Sequence, residues 1–181
     1  MKINEGHPLR RHFAATVEQA FCEKVGMCDP SLTTYLVDLL LAFTHIDYLN
    51  TMRNIRNRNL ERIASMLVAM SDEKPDTTME RDQATYRQIG DFTLFWAGVY
   101  PEQLRGNACK PVDLLGDYVR QGKRSYSIVS DLASESDAPP SSLFRHLSDD
   151  FEFCLYGLGL VRQSWERRPP MDAASGGDLI Y

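Results

Sequence analysis

The sequence lacks a long hydrophobic run, and this absence excludes a class of protein. No unbroken run of apolar residues is longer than the one from Leu39 to Phe43, whereas a membrane-spanning helix needs roughly 18 residues or more. The segment Met1–Pro8 has neither an apolar core nor a cleavage site, so we expect no secretory signal. These absences lead us to expect a cytoplasmic protein without a membrane segment.

Cysteine is scarce, and the four cysteines follow no metal-binding pattern. Cys22, Cys28, Cys109 and Cys154 include no Cys-x-x-Cys pair and match no zinc spacing. Cys22 and Cys154 fall on the apolar stripes of predicted helices, where cysteine packs as a small hydrophobic residue. The sequence therefore predicts reduced, partly buried thiols, no metal ion and no other cofactor.

The recognised catalytic motifs are also absent. The chain contains no Gly-x-Ser-x-Gly, no phosphate-binding Gly-x-x-x-x-Gly-Lys-Ser/Thr loop and no His-Glu-x-x-His. A di-iron bundle would need Glu-x-x-His on two helices, and the sequence contains none. His146 with Asp149 or Asp150 supplies fewer than the three or four ligands that a metal site usually has. A cysteine–histidine pair that meets only in the folded chain stays open.

What the sequence does contain is helical periodicity. Apolar side chains recur at spacings of three and four, and no segment alternates over more than a few residues as a strand would. The predicted helices are carried by residues 8–25, 30–46, 60–70, 78–100, 112–134 and 143–158. We therefore predict an all-α fold, a single-domain bundle of about six helices over residues 1–168, followed by a flexible tail over residues 169–181.

The helix predicted over about residues 78–100 is apolar on nearly its whole circumference, so it should lie in the middle of the bundle. Gly90 and Gly98 each cost about 1 kcal/mol relative to alanine inside a helix. We expect close approach of a neighbouring helix to compensate for this cost. Pro101 lacks a backbone donor and restricts Tyr100, so the helix should end there.

A short motif in this helix carries a resemblance to other proteins. The motif consists of Gly90-Asp91-Phe92, Leu94-Phe95, Gly98 and Pro101-Glu102, and a tyrosine-rich helix follows it. Over residues 86–158 the pattern resembles a set of bacterial helical proteins without an assigned activity. The resemblance implies a helical fold in which Gly90, Asp91, Gly98, Pro101 and Glu102 form one structural unit. It implies no catalytic residue.

Asp91 is a carboxylate at the start of the most apolar stretch of the chain. It either pairs with Arg87 one turn earlier or with an arginine of a neighbouring helix, or it is an acid of raised pKa in a pocket. The aromatic side chains around it form either plain core or a pocket between helices for a small apolar ligand. The candidate pocket residues are Asp91, Phe95, Trp96, Tyr100, Tyr118 and Tyr126.

Basic residues are concentrated in two patches although the net charge of the chain is −5. One patch consists of Arg53, Arg56, Arg58 and Arg62, and the other of Arg120, Lys123 and Arg124. Such patches either follow a phosphate backbone or belong to a solvated, salt-bridged helix surface. The negative net charge favours the second interpretation and argues against nucleic acid as the partner.

Without recognised chemistry, the sequence favours a non-catalytic adaptor or regulator, and it does not favour an enzyme. We expect this protein to contact another protein or a second copy of itself. The apolar residues 179–181 at the end of the tail either form a docking peptide or are simply the end of a flexible segment, and the second interpretation is favoured. The alternative is a bundle that binds a small apolar ligand or uses Asp91 in acid–base chemistry. The third hypothesis is a nucleic-acid-binding regulator that acts through the Arg53–Arg62 patch.

Overall fold

A computed structural model of the chain describes residues 7–44, 79–105 and 114–167. These ranges contain six α-helices and no strand, which confirms the predicted all-α class. The helices are α1 (Pro8–Glu18), α2 (Pro30–Thr44), α3 (Met79–Val99), α4 (Leu115–Leu132), α5 (Ser141–Asp149) and α6 (Phe151–Glu166). A π-helix, Gln19–Val25, continues α1, and a short 3-10 helix, Pro101–Gln103, follows α3. Within the described ranges no helix has the length and apolar character needed to cross a membrane.

Several predicted features lie outside the described residues. They are the helix over residues 60–70, the patch of Arg53, Arg56, Arg58 and Arg62, the thiol of Cys109, and the tail over residues 169–181.

The helix predicted over residues 78–100 is α3, and α3 occupies the centre of the described fold. It packs most extensively against α4, then against α6, with smaller contacts to α2 and the 3-10 helix. Leu94, Phe95 and Val99 are almost completely buried. The helix ends at Val99, so the stop predicted at Pro101 is confirmed.

Close helix packing at the two glycines of α3 is also confirmed. A Cβ atom on Gly90 would lie 2.6 Å from Cε1 of Tyr126 in α4, and one on Gly98 would lie 2.9 Å from Leu158 in α6. An alanine at either position would overlap these side chains unless they moved. The two glycines therefore admit two different helices, rather than the one neighbour that we expected.

The last predicted helix is wrong in one respect, because the chain forms two helices where periodicity predicts one. Helices α5 and α6 are separated at Asp150, where the backbone leaves helical geometry with φ −102° and ψ 27°. The apolar period continues across the break because Leu147 and Phe151 are one turn apart, and both are fully buried. The two helices pack against different neighbours, α5 against α4 and α6 against α3. The aspartates at positions 149 and 150 are poor helix formers, so the turn can form there.

The cysteines also differ from expectation. Cys22 and Cys28 form a disulfide across six positions of sequence, so the prediction of reduced thiols is wrong for these two residues. Cys22 is half-buried and Cys28 is exposed. The chain turns between them at Gly26, whose φ of 81° suits glycine. Cys154 is free and fully buried as predicted, and burial raises the pKa of its thiol to about 12.

Candidate functional site

Asp91 is held in place by hydroxyl groups from two other helices. Tyr35 of α2 and Tyr126 of α4 both donate hydrogen bonds to Asp91 Oδ1, at 2.5 Å and 2.8 Å. Tyr126 is fully buried and Tyr35 nearly so, which leaves these hydroxyls little access to water. Three helices are therefore linked through one carboxylate oxygen.

The predicted pairing of Asp91 with Arg87 is present, one turn earlier on α3. Arg87 Nε lies 3.9 Å from Asp91 Oδ2 and donates a hydrogen bond of 3.2 Å to the Tyr35 hydroxyl. The guanidinium group also lies over the rings of Tyr35, at 5.2 Å, and of Phe144, at 5.7 Å. This stacking holds the cation beside the carboxylate while 42% of the Arg87 side chain stays exposed.

Burial dominates the electrostatics of this cluster. It raises the pKa of Asp91, although the hydrogen bonds from Tyr35 and Tyr126 and the charge of Arg87 act in the opposite direction. Burial and the negative charge of Asp91 raise the pKa of both tyrosines well above the ordinary value. The hydroxyls therefore keep their protons and remain donors at neutral pH.

Asp91 and Arg87 line a cleft of about 800 Å³, which we call the Asp91 cleft. One wall comes from α3, and the other from the end of α4, the connection after it and α5. The lining residues are Gln83, Ala84, Arg87, Gln88, Asp91, Leu132, Asp137, Ala138, Pro139 and Phe144. The volume falls in the range of small-molecule sites, roughly 300–1,000 Å³. Among the described lining residues, polar and apolar ones are present in equal number, so the cleft is more polar than expected for the small apolar ligand that the sequence suggests.

Only two of the six candidate pocket residues meet at the Asp91 cleft. Asp91 lines the cleft, and Tyr126 donates a hydrogen bond to it. Phe95, Trp96 and Tyr100 form an aromatic group further along α3, with ring centroids 5.6–6.0 Å apart. Their role as ligand contacts stays a prediction.

Tyr118 belongs to a smaller apolar cluster on the α4 side. It packs with Ala97 and Leu104, and its ring lies 6.1 Å from that of Phe92. The Tyr118 hydroxyl is buried without a hydrogen-bond partner, and burial raises its pKa. It does not line the Asp91 cleft.

Sequence reasoning missed two of the aromatic residues that form the site. These are Tyr35 of α2 and Phe144 of α5, neither of which the sequence analysis singles out. A tyrosine on a buried stripe was the available signal, because a buried hydroxyl needs a partner.

The second basic patch is largely neutralised. Arg120 pairs with Asp117, and Lys123 lies 2.9 Å from Glu152. Arg124 is exposed. These pairs agree with a salt-bridged helix surface.

His146 lies between two carboxylates at the corner of α5 and α6. Its Nδ1 is 3.5 Å from Asp29 and its Nε2 is 3.1 Å from Asp150. Asp29 also caps α2 through the backbone nitrogen of Ser31, at 2.8 Å. The histidine therefore links the start of α2 to the α5–α6 corner. Among the residues that the structure describes, no group of three or more side chains is arranged to hold a metal ion.

Comparison of the chain with protein-family models, with curated proteins and with solved structures found no match. The resemblance of residues 86–158 to bacterial helical proteins therefore stays a prediction. The function must be inferred from the side chains of this chain.

Proposed function

We propose that the protein binds a small ligand in the Asp91 cleft. This is the ligand-binding hypothesis from the sequence, changed in one respect: the ligand carries polar groups as well as an apolar part. The observation that carries the proposal is the position of Asp91, a fixed and mostly buried carboxylate in the wall of an open cleft.

The two oxygens of Asp91 have different surroundings. Oδ1 accepts both tyrosine hydrogen bonds, whereas Oδ2 has Arg87 Nε at 3.9 Å, beyond normal hydrogen-bond length. A carboxylate oxygen can accept two hydrogen bonds. Oδ2 is therefore the oxygen to which a ligand in the cleft would donate.

We propose binding rather than a reaction. A general acid or base acts on a ligand atom that lies within hydrogen-bond reach. Two carboxylates are among the described residues that line the cleft, Asp91 and Asp137. Asp91 lies next to Arg87, whose charge favours the ionised form of the acid, and Asp137 Oδ2 accepts a hydrogen bond from the backbone nitrogen of Ser134. Acid–base chemistry at Asp91 stays an alternative, because burial raises the pKa of this acid and acids with a raised pKa are common at catalytic sites.

Native mass spectrometry of the full chain purified from expressing cells tests the proposal. Ala84→Trp is the blocking variant, since Ala84 is an exposed residue of α3 that lines the cleft. Ala15→Trp is the matched control, at an exposed position of α1 outside the cleft. We expect a bound small molecule on the wild type and on Ala15→Trp, and its loss from Ala84→Trp.

A wild-type chain that carries no small molecule, and that takes none from the small-molecule fraction of a cell extract, would contradict ligand binding. Equal occupancy of the two tryptophan variants would place the ligand outside the Asp91 cleft.

A second function, contact with another protein or a second copy, is supported by a separate observation on α6. Phe153 and Tyr156 are each 58% exposed. They lie three residues apart, so they are neighbours on one helix face. Two adjacent exposed aromatic rings are typical of contact surfaces. This observation supports the adaptor or regulator hypothesis.

Sedimentation velocity separates this second function from simple surface exposure. The variant is Phe153→Ser with Tyr156→Ser, and the control is Gln163→Ser at an exposed position of the same helix. Self-association of the wild type and of the control, with a monomeric double variant, supports contact between copies. If the wild type is a monomer at every concentration, and the wild type and the double variant bind the same partners, the aromatic pair is not a contact surface.

The location and the nucleic-acid hypothesis have less support. A cytoplasmic location stays part of the proposal, but disulfides are rare in that compartment, so the Cys22–Cys28 bond favours an oxidising one.

The described residues add nothing in favour of nucleic-acid binding, since Arg120 and Lys123 already pair with acids.

A further inference from the structure

The charged groups of the Asp91 cleft form an adjacent pair of opposite sign. Arg87 Nε and Asp91 Oδ2 are 3.9 Å apart, and both side chains line the cleft. The carboxylate is fixed by Tyr35 and Tyr126, and the guanidinium is fixed by stacking on Tyr35 and Phe144. The two charges are thus held in place before any ligand arrives.

The hydrogen-bonding capacity of this pair is only partly used by the described residues. Among the described residues, none donates a hydrogen bond of normal length to Asp91 Oδ2, and Arg87 donates through Nε. A guanidinium group has further N–H donors on its terminal nitrogens, arranged to suit a carboxylate. The cleft therefore presents an acceptor for a cation beside donors for an anion.

Most of the described lining that does not come from α3 is apolar. Leu132, Ala138, Pro139 and Phe144 form this part of the cleft, together with one carboxylate, Asp137. A side chain without charge would be desolvated there at little cost, because the wall offers apolar contact. The polar and apolar parts of the cleft therefore suit the two ends of one molecule.

From this arrangement we infer that the ligand is a free α-amino acid with an apolar side chain. Its ammonium group donates to Asp91 Oδ2, and its carboxylate accepts from Arg87. The ammonium and carboxylate of an α-amino acid are attached to one carbon, so they can meet two protein charges that lie side by side. Its side chain lies against Leu132, Pro139 and Phe144. This inference rests on the proposed ligand-binding function and specifies its ligand class.

The test is isothermal titration calorimetry of the full chain with three compounds that share a phenyl group. L-Phenylalanine carries both charges, phenethylamine lacks the carboxylate, and 3-phenylpropionate lacks the amine. Loss of one charged hydrogen bond should weaken binding by about tenfold or more. We therefore expect phenylalanine to bind at least about tenfold more tightly than either analogue.

Two variants make the test specific for the two charges. Asp91→Asn should weaken phenylalanine and phenethylamine and leave 3-phenylpropionate unchanged. Arg87→Gln should weaken phenylalanine and 3-phenylpropionate and leave phenethylamine unchanged. The matched controls are Asp117→Asn and Arg145→Gln, which remove the same groups from exposed ion pairs elsewhere. Circular dichroism of each variant before titration establishes that it is folded.

The outcomes separate this inference from the function on which it rests. Phenethylamine binding as tightly as phenylalanine, with no effect of Arg87→Gln, would overturn the amino-acid inference and keep a ligand site at Asp91. No binding of any compound, together with a different molecule that Ala84→Trp displaces in native mass spectrometry, would also overturn the inference alone. No binding and no retained molecule would overturn both.

Discussion

Tyr126→Phe tests the Asp91 cluster directly, because it removes one hydroxyl group and leaves the ring in place. The Tyr126 side chain is fully buried, and its hydroxyl lies 2.8 Å from Asp91 Oδ1. A hydrogen bond to a charged group contributes about 1.5–3 kcal/mol to stability, and a neutral one about 0.5–1.5 kcal/mol. We therefore expect Tyr126→Phe to lower the free energy of unfolding at pH 8 by about 1.5–3 kcal/mol.

Asp91→Asn completes a double-mutant cycle with this change. The carboxamide oxygen still accepts a hydrogen bond, but it carries no charge. Tyr126→Phe should therefore cost roughly 1 kcal/mol less in the Asp91→Asn background than in the wild type. That difference measures the charge-assisted part of the bond between the two side chains.

Urea unfolding followed by far-ultraviolet circular dichroism measures all four chains of the cycle, with the same dependence on urea expected for each. Tyr156→Phe is the matched control, since Tyr156 is 58% exposed and its hydroxyl should contribute less than about 0.5 kcal/mol. Equal losses from Tyr126→Phe in the two backgrounds would refute a charge-assisted hydrogen bond between Tyr126 and Asp91. A loss from Tyr126→Phe in the wild type no larger than the loss from Tyr156→Phe would refute the hydrogen bond itself, and with it the fixed carboxylate on which the ligand site depends.

Three further predictions concern other parts of the structure. Burial raises the pKa of Asp91, so the contribution of this carboxyl group to stability is fully present at low pH and is lost as the pH rises through the raised pKa. The stability of Asp91→Asn relative to the wild type should therefore increase with pH. Urea titrations of both chains between pH 3 and pH 8 measure this difference. Arg162→Ala removes hydrogen bonds to Glu102 and to the end of α3, and should lower the free energy of unfolding by about 1–2 kcal/mol, measured against Arg145→Ala. Reduction of the Cys22–Cys28 disulfide, which closes a short loop, should cost about 2 kcal/mol by the chain-entropy relation; equal unfolding midpoints with and without a reducing agent would contradict this, and trapping with a thiol-alkylating reagent in intact cells would show whether the bond exists there.

The sequence predicts the central position of α3 in the bundle because the apolar faces of a helix follow from the local spacing of its residues. Nearly every face of the stretch around Leu94 is apolar, and such a helix is stable only when it is covered on nearly all sides. Pro101 marked its end for an equally local reason. Asp91 stood out because a carboxylate is rare in an apolar stretch.

The partners of Asp91 could not be predicted in the same way. Tyr35 is 56 positions away in the sequence and Tyr126 is 35 positions away, so only the folded chain brings their hydroxyls to one oxygen. The break at Asp150 was hidden because the apolar period continues through it. The disulfide had one local signal, a glycine between two nearby cysteines, and spacing alone does not establish such a pair.

The uneven use of the Asp91 oxygens favours the proposed ligand site over a purely structural link. A buried acid that serves only to join helices is expected to use its acceptors inside the protein, since nearly all buried polar groups are satisfied. In Asp91, Oδ1 accepts the hydrogen bonds of both tyrosine hydroxyls, and the carboxylate lines an open cleft. The tyrosines hold the acid at a fixed position, so a ligand that donates to Oδ2 meets an acceptor that needs no reordering. An adaptor surface on α6 requires none of this arrangement. Binding at Asp91 therefore accounts for more of the described structure than protein contact does.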